Sequence, residues 1–417
     1  MGRFPFLIAG CLLIVAFDYY CIKAILSVSK TWSEKTKKRF TWIYWIISIM
    51  LTIGIFAGMF FNIFLSLRAV IMVAFFLITA CKIVLLPFLL IDDLRRLIIT
   101  FVRAIKTRQE DTDGKILVKE PISRSEFIVK AGLVVAAVPL TSLTWGIVSG
   151  AYDYQIRRQT LILPNLPAAF DGITMGQISD IHSGSFYNPK AVKGGVEMLL
   201  KEKCDFILFT GDIVNDMATE MRDYQDIFSK VKAPLGVYSS LGNHDYGDYH
   251  FGKESSPAKV KNLIDVKKTH QLMGWDLLLN EHRRLKVDGE EIGILGIENW
   301  GTGRFPRYGR MDLATKDTDD LPVKLLLSHD PSHWRAQVLP HYPQIDAMFS
   351  GHTHGMQFGV RTEKYQWSPI EYIYEEWAGH YQEQKQQLYV NVGYGFLGYP
   401  GRVGILPEIT IFTLKRA

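Results

Sequence analysis

The chain has 417 residues, 48% of them apolar, and a formal net charge of +5. That length exceeds one ordinary domain, and a basic excess gathered in short runs between apolar stretches argues against nucleic acid as a partner. Three of the four cysteines (Cys11, Cys21, Cys81) lie in apolar stretches and Cys204 stands alone beyond them, which excludes a disulfide framework or a cysteine-built metal site in the polar part.

Residues 1–150 read as an all-α transmembrane region. Apolar stretches near 4–26, 42–65, 69–91 and 127–148 each approach the ~20 residues that cross a hydrocarbon core. Asp18 and Lys23 interrupt the first. Trp42, Tyr44, Trp45 and Trp145 suit the headgroup level. The link 30–39 and the segment from Arg95 to Arg124 are basic, whereas 62–68 is nearly uncharged. Basic links stay cytoplasmic. The fourth stretch therefore runs outward, and everything beyond it is expected on the extracytoplasmic side of a bacterial inner membrane. Arg103–Glu120 reads as a cytoplasmic loop, and 151–169, broken by Pro164 and Pro167, as a linker.

From residue 170 to 417 the pattern is that of a globular α/β domain whose strands end in polar loops. Ile173–Ser179 runs into Asp180-Ile181-His182, and residues two apart on an extended chain point the same way, so both can grip one cation. Pro189–Lys201 is an amphipathic helix. Asp205–Thr210 ends in Gly211-Asp212, where the glycine lets the carboxylate project. Asn215 and Asp216 are expected to cap the next helix. Leu235–Ser239 delivers Asn243-His244-Asp245: an amide oxygen for a cation, an imidazole to move a proton, a carboxylate to orient that ring. Lys267–Leu279 reads as a helix, and His270 and His282 near it as packing or surface residues. Arg284–Val287 and Glu291–Ile297 form a hairpin closed by Asp288-Gly289. The loop 298–310 reads either as a solvated loop or as a wall for an anionic, partly apolar substrate, since the planar forks of Arg304 and Arg307 suit phosphate oxygens. Val323–Ser328 ends in His329, and Ile345–Ser350 in Gly351-His352-Thr353-His354.

At Asp180-x-His182, Gly211-Asp212, Gly242-Asn243-His244-Asp245, His329 and Gly351-His352-x-His354 the chain resembles the calcineurin-like metallophosphoesterase family, and within it the membrane-anchored bacterial group. The resemblance covers about 170–415 and includes a tail with Arg402 followed by Pro407-Glu408-Ile409; Met356 departs from it, standing where the group has a glycine. It implies a four-layer α/β/β/α sandwich with two divalent metal ions (Mn, Fe, Zn or Ni) at the strand ends. Asp180, His182 and His354 would bind one, Asn243, His329 and His352 the other, and Asp212 both. His244, aided by Asp245, would protonate the leaving oxygen or steady the charged phosphorus centre; Arg304, Arg307 and Arg402 are the candidate substrate contacts. The implied activity is hydrolysis of a phosphoester or pyrophosphate, attacked by a metal-bridging hydroxide, with the lipid bilayer and a phosphorylated, lipid-linked substrate as the expected partners. The alternative is a non-catalytic membrane sensor or scaffold with a metal-stabilised domain.

Overall fold

The computed structural model describes residues 4–60, 65–109, 123–303, 305 and 307–417. The chain divides into two compact units, Met1–Thr144 and Trp145–Ala417.

The first unit is helical: α1 (Phe4–Val28), α2 (Glu34–Phe60), α3 (Leu65–Gln109) and α4 (Glu126–Val148), whose last turn belongs to the second unit. All four are long and apolar enough to cross a membrane. Helix α3 outruns its expected end at 91 and takes in the start of the expected cytoplasmic loop. The physical reason is local pairing: Arg95 and Arg96 meet Asp92 and Asp93 one turn away, which supports a charged continuation of the helix. The rest of that loop, 110–122, lies outside the described residues. Asp18 is buried and accepts from Tyr44 Oη at 2.9 Å and from Ser48 Oγ of α2, while Lys82 of α3 pairs with it. Lys23 is no partner of this carboxylate; its ammonium sits 5.1 Å over the Tyr19 ring. A charge inside an apolar bundle is tolerated when an opposite charge from a neighbouring helix faces it.

The second unit is built on two six-stranded sheets. Its strands are β1 (Gln155–Leu163), β2 (Thr174–Ile178), β3 (Phe206–Thr210), β4 (Val237–Ser240), β5 (Asp276–Leu277), β6 (Glu281–Val287), β7 (Glu290–Gly296), β8 (Lys324–Leu327), β9 (Ala347–Ser350), the two-residue pair β10 (Val360–Arg361) and β11 (Gln366–Trp367), β12 (Gly379–Glu383), β13 (Gln386–Val390) and β14 (Glu408–Arg416). One sheet has the order β1-β14-β2-β3-β4-β5 and the other β12-β13-β9-β8-β7-β6. Alternation along each strand makes the layers. Phe206 and Leu208 of β3 point into the core between the sheets with Leu325, Leu327, Phe349 and Phe412. Ile207 and Phe209 point outward with Val192, Val196 and Leu199 of α5 (Pro189–Lys201). Leu326 and Met348 cover the far face with Trp334 and Val338. The result is α/β/β/α.

Two expectations need correction. Residues 151–169 are not a linker: β1 pairs in parallel with β14 from Gln155–Glu408 to Leu163–Arg416. Leu161 and Leu163 are buried between the sheets, and the two prolines come only after the strand has ended. The helix expected at 267–279 instead spans Pro257–Met273. Ser256 Oγ accepts from Lys259 N at 3.2 Å to start it, and Gly274 at φ 77° ends it. The 281–296 hairpin forms as expected, with φ positive at Asp288 (47°) and Gly289 (87°), as a tight two-residue turn requires.

Strands β2, β3 and β4 run parallel, as do β7, β8 and β9. Their carboxyl ends therefore collect the polar loops along one edge of the sandwich.

Candidate metal centre

The loops after β2, β3, β4, β8 and β9 bring seven predicted donors together. Asp180, His182 and His354 form one group of ligand atoms within 4.8 Å of one another, and Asp212, His329 and His352 form a second. Asp212 stands between them: its Oδ2 lies 3.0 Å from His329 Nε2 and 3.5 Å from His182 Nε2. Asn243 Oδ1 is 2.9 Å from His352 Nδ1, which is 3.3 Å from His329 Nε2. His354 Nε2 is 3.3 Å from Asp180 Oδ1.

Backbone geometry shows what aims these groups. Asp180 (φ 50°), His182 (47°), Asp212 (60°), His352 (72°) and His354 (52°) all adopt the left-handed conformation that costs non-glycine residues energy. Met356 does so as well (φ 51°), which explains why glycine suits that position. At Gly351 a Cβ would lie 2.0 Å from Asp180 Oδ2 and from Ser179 Oγ, so only glycine lets the β9 loop pass this close.

Electrostatics are set by burial and by the facing partners. Burial alone would raise the carboxyls of Asp180 and Asp212, yet His354 beside the first and His329 and His244 beside the second hold both below the ordinary range. Burial drives His182, His352 and His354 down, toward the neutral form that ligates cations. Burial opposes the charge of His329, but Asp212 outweighs it and lifts the ring to about 10.

The donor set fits divalent cations. Both ring nitrogens of His182 and Nε2 of His354 are buried without a hydrogen-bond partner among the described residues, an expensive arrangement unless a cation receives them. His329 donates Nδ1–H to Thr210 O at 2.7 Å, which leaves Nε2, 3.0 Å from Asp212 Oδ2, as the nitrogen that would give up its proton to a cation. Imidazole, carboxylate and amide donors without a thiolate suit Mn, Fe, Zn or Ni.

Two predicted roles change. Asp245 does not orient the His244 ring. Its carboxylate accepts from the backbone of Gly242 (2.8 Å), Asp212 (2.9 Å) and Ile213 (2.9 Å), clamping one metal loop to another. Burial and the Asp212 charge push it up to about 7, against the pull of those amides. The His244 ring is held instead by Asn215 O, 2.7 Å from Nδ1, and by Tyr249, stacked 4.5 Å away. Arg402 is not a substrate contact: it is fully buried and donates to Gly395 O and Val392 O, with Nη2 3.1 Å from His354 Nδ1. Burial lowers its guanidinium to about 10. It props His354 from behind. Arg307 lies 4.7 Å over the Trp300 ring and donates to Gly301 O; Arg304 lies outside the described residues. Tyr374, whose hydroxyl is 2.8 Å from His352 Nε2, carries no sequence signal, because it lies 22 residues from its partner in an irregular segment.

Comparison with known proteins agrees with this geometry. Residues 3–151 match the family model described as "Probable Calcineurin-like phosphoesterase, transmembrane domain", and residues 173–356 match "Calcineurin-like phosphoesterase". The chain is 29% identical over 309 residues to the Bacillus subtilis protein called Uncharacterized metallophosphoesterase YkuE, covering 70% of this chain and 98% of that one. It is 26% identical to the Danio rerio Transmembrane protein with metallophosphoesterase domain, over 66% of this chain and 60% of that one. The solved NAD nucleotidase of Haemophilus influenzae aligns with 54% of this chain and 45% of its own at 15% identity and a TM-score of 0.37, a likeness too loose to carry an argument. With both its helical region and its sandwich matched, the chain belongs to the calcineurin-like metallophosphoesterases and is a phosphohydrolase of the membrane-spanning kind.

Proposed function

We propose that the protein is a dinuclear-metal phosphohydrolase, anchored in a bacterial inner membrane, that cleaves a phosphoester or pyrophosphate bond of a lipid-linked phosphate outside the cytoplasm. The observation that carries this reading is Asp212, with one carboxylate oxygen facing a histidine of each ligand group. Asp180, His182 and His354 would hold one cation, Asn243, His329 and His352 the other, with Asp212 shared. Two such ions supply Lewis acidity at phosphoryl oxygens and make a water acidic enough to act at neutral pH.

The chain's own residues supply the rest. His244 keeps its Nδ1 proton on Asn215 O, so its Nε2 is left to take up a proton and give it to the departing oxygen. Tyr249 fixes the plane of that ring. Asp245 keeps the β3 and β4 loops in register. Arg307 is the candidate phosphate contact, because its loop reaches the centre through Phe305, whose ring is 4.7 Å from His352. The outward orientation rests on the basic residues at the start of α2 and on those from Arg95, near the end of α3, to Arg124.

The test is Asp212→Asn in the full-length protein. Turnover of bis-p-nitrophenyl phosphate with added Mn²⁺ is expected to fall by at least about 100-fold, with bound metal reduced, since a neutral amide loses the charge shared by both ions. Unchanged turnover and metal content would overturn the bridging assignment.

A further inference from the structure

We propose that Met356, Phe358, Val360, Tyr365, Tyr372 and Ile373 form a surface that docks on the lipid bilayer and holds the metal centre at the membrane face. The inference rests on the hydrolase reading for its purpose, but not for its geometry.

All six side chains are exposed, from 41% at Phe358 to 77% at Tyr372, and all come from the single segment that follows the His352-Thr353-His354 loop. Soluble surfaces seldom gather this much apolar area without a partner. The segment folds back on itself: β10 pairs with β11, and Ser368 Oγ donates to Gly355 O at 2.8 Å.

Two sets of contacts say what covers it. On one side the segment ends at the metal centre, through the Tyr374 hydroxyl on His352. On the other side Gly359 N donates to Val403 O at 2.9 Å, and Arg402 N donates to Gly146 O at 3.1 Å. One loop therefore separates the apolar surface from the last turn of α4. That helix is long and apolar enough to span a membrane, and Trp145 (69% exposed) and Val148 (77%) mark where the chain leaves it. An exposed tryptophan at the end of a span sits at the headgroup level. The surface is thus continuous with an element already at the bilayer interface. It carries no basic excess: Lys364 stands against Glu363 and Glu371, and Arg361 is buried in an ion pair with Glu408. Attachment then depends on apolar burial and needs no anionic lipid.

The experiment places photoreactive benzoylphenylalanine at Tyr372 or Ile373 in the full-length protein, reconstituted in phosphatidylcholine vesicles. Ile264, 58% exposed on the helix spanning Pro257–Met273, is the control. After illumination, mass spectrometry counts lipid adducts. An excess of about tenfold at 372 and 373 over 264 is expected, the ratio that a preference of ~1.4 kcal/mol produces. Adducts at 372 and 373 no more frequent than at 264, or formed with a second protein chain instead of lipid, would overturn the proposal. Phe358→Ser combined with Val360→Ser should cut the lipid adducts at 372 while leaving turnover of bis-p-nitrophenyl phosphate unchanged. If the wild type turns over no phosphoester under any divalent metal, the hydrolase reading fails, and the lipid adducts still decide the docking surface.

Discussion

Replacing Asp245 by alanine probes how the metal loops are held. One buried carboxylate receives three short backbone N–H bonds, from Gly242, Asp212 and Ile213 at 2.8–2.9 Å, besides a longer one from Val214 at 3.4 Å. Truncation strands all three. At about 1–3 kcal/mol for each unsatisfied buried donor, the gross cost is roughly 3–9 kcal/mol. Water entering the cavity can satisfy part of it, so about 3–5 kcal/mol is expected, a large share of the ~5–15 kcal/mol that holds a domain together. A folded unit of this size responds with about 2–4 °C per kcal/mol, so Tm should drop by roughly 6–20 °C. Asp245→Asn keeps the shape, but its amide NH₂ must face one of the three N–H groups, so it should fall between alanine and wild type. The assay is a thermal melt of the full-length protein in detergent, paired with metal analysis. Were Asp245 there to orient the His244 ring, turnover would suffer and the melt would not. An Asp245→Ala protein melting within about 2 °C of wild type with its full metal complement would refute the clamp.

Two further outcomes follow from buried groups away from the centre. His270 is fully buried, with Nδ1 3.0 Å from Ser239 Oγ, and burial lowers its ring to about 3. Its folded-state pKa lies below the unfolded value of about 6.5, so its contribution is present above that pH and drains away as pH falls; between about pH 6.5 and 4.5 this amounts to roughly 2–3 kcal/mol. His270→Gln should flatten the acid side of the stability curve by that amount, and curves that stay parallel would count against it. In the helical unit, Asp18→Leu or Lys82→Leu leaves one charge without its partner and should each cost about 3–5 kcal/mol, whereas the double substitution should recover most of the loss. Unfolding by SDS titration reads the coupling, and simply additive losses would show that the two charges do not act as a pair.

Local and distant causes shape different parts of this chain. The donors of the centre are legible because each is announced within a few residues: an apolar strand, a glycine or short turn, then Asp, Asn or His. The Asp288-Gly289 turn is legible for the same reason. What escaped depends on partners far along the chain. β1 is hidden because its neighbour is the final strand, with Gln155 facing Glu408, and an edge strand followed by two prolines resembles a connection. The Asp245 clamp and the Arg402 prop were misread because a carboxylate and a guanidinium beside a site look catalytic until their hydrogen bonds are seen. The Asp18–Lys82 pair spans three helices' worth of sequence, so each charge alone looks like a flaw in its own span.

The amino-acid order by itself determined that four apolar helices precede an α/β body, and which side chains stand at strand ends, because hydropathy and turn chemistry act over a handful of neighbours. Only the tertiary structure decided that Asp212 faces two histidine groups at once, that Asp245 serves the backbone and that an apolar surface lies between the centre and the end of α4. Those relations arise from parallel strands laid side by side, and no short window of sequence contains them.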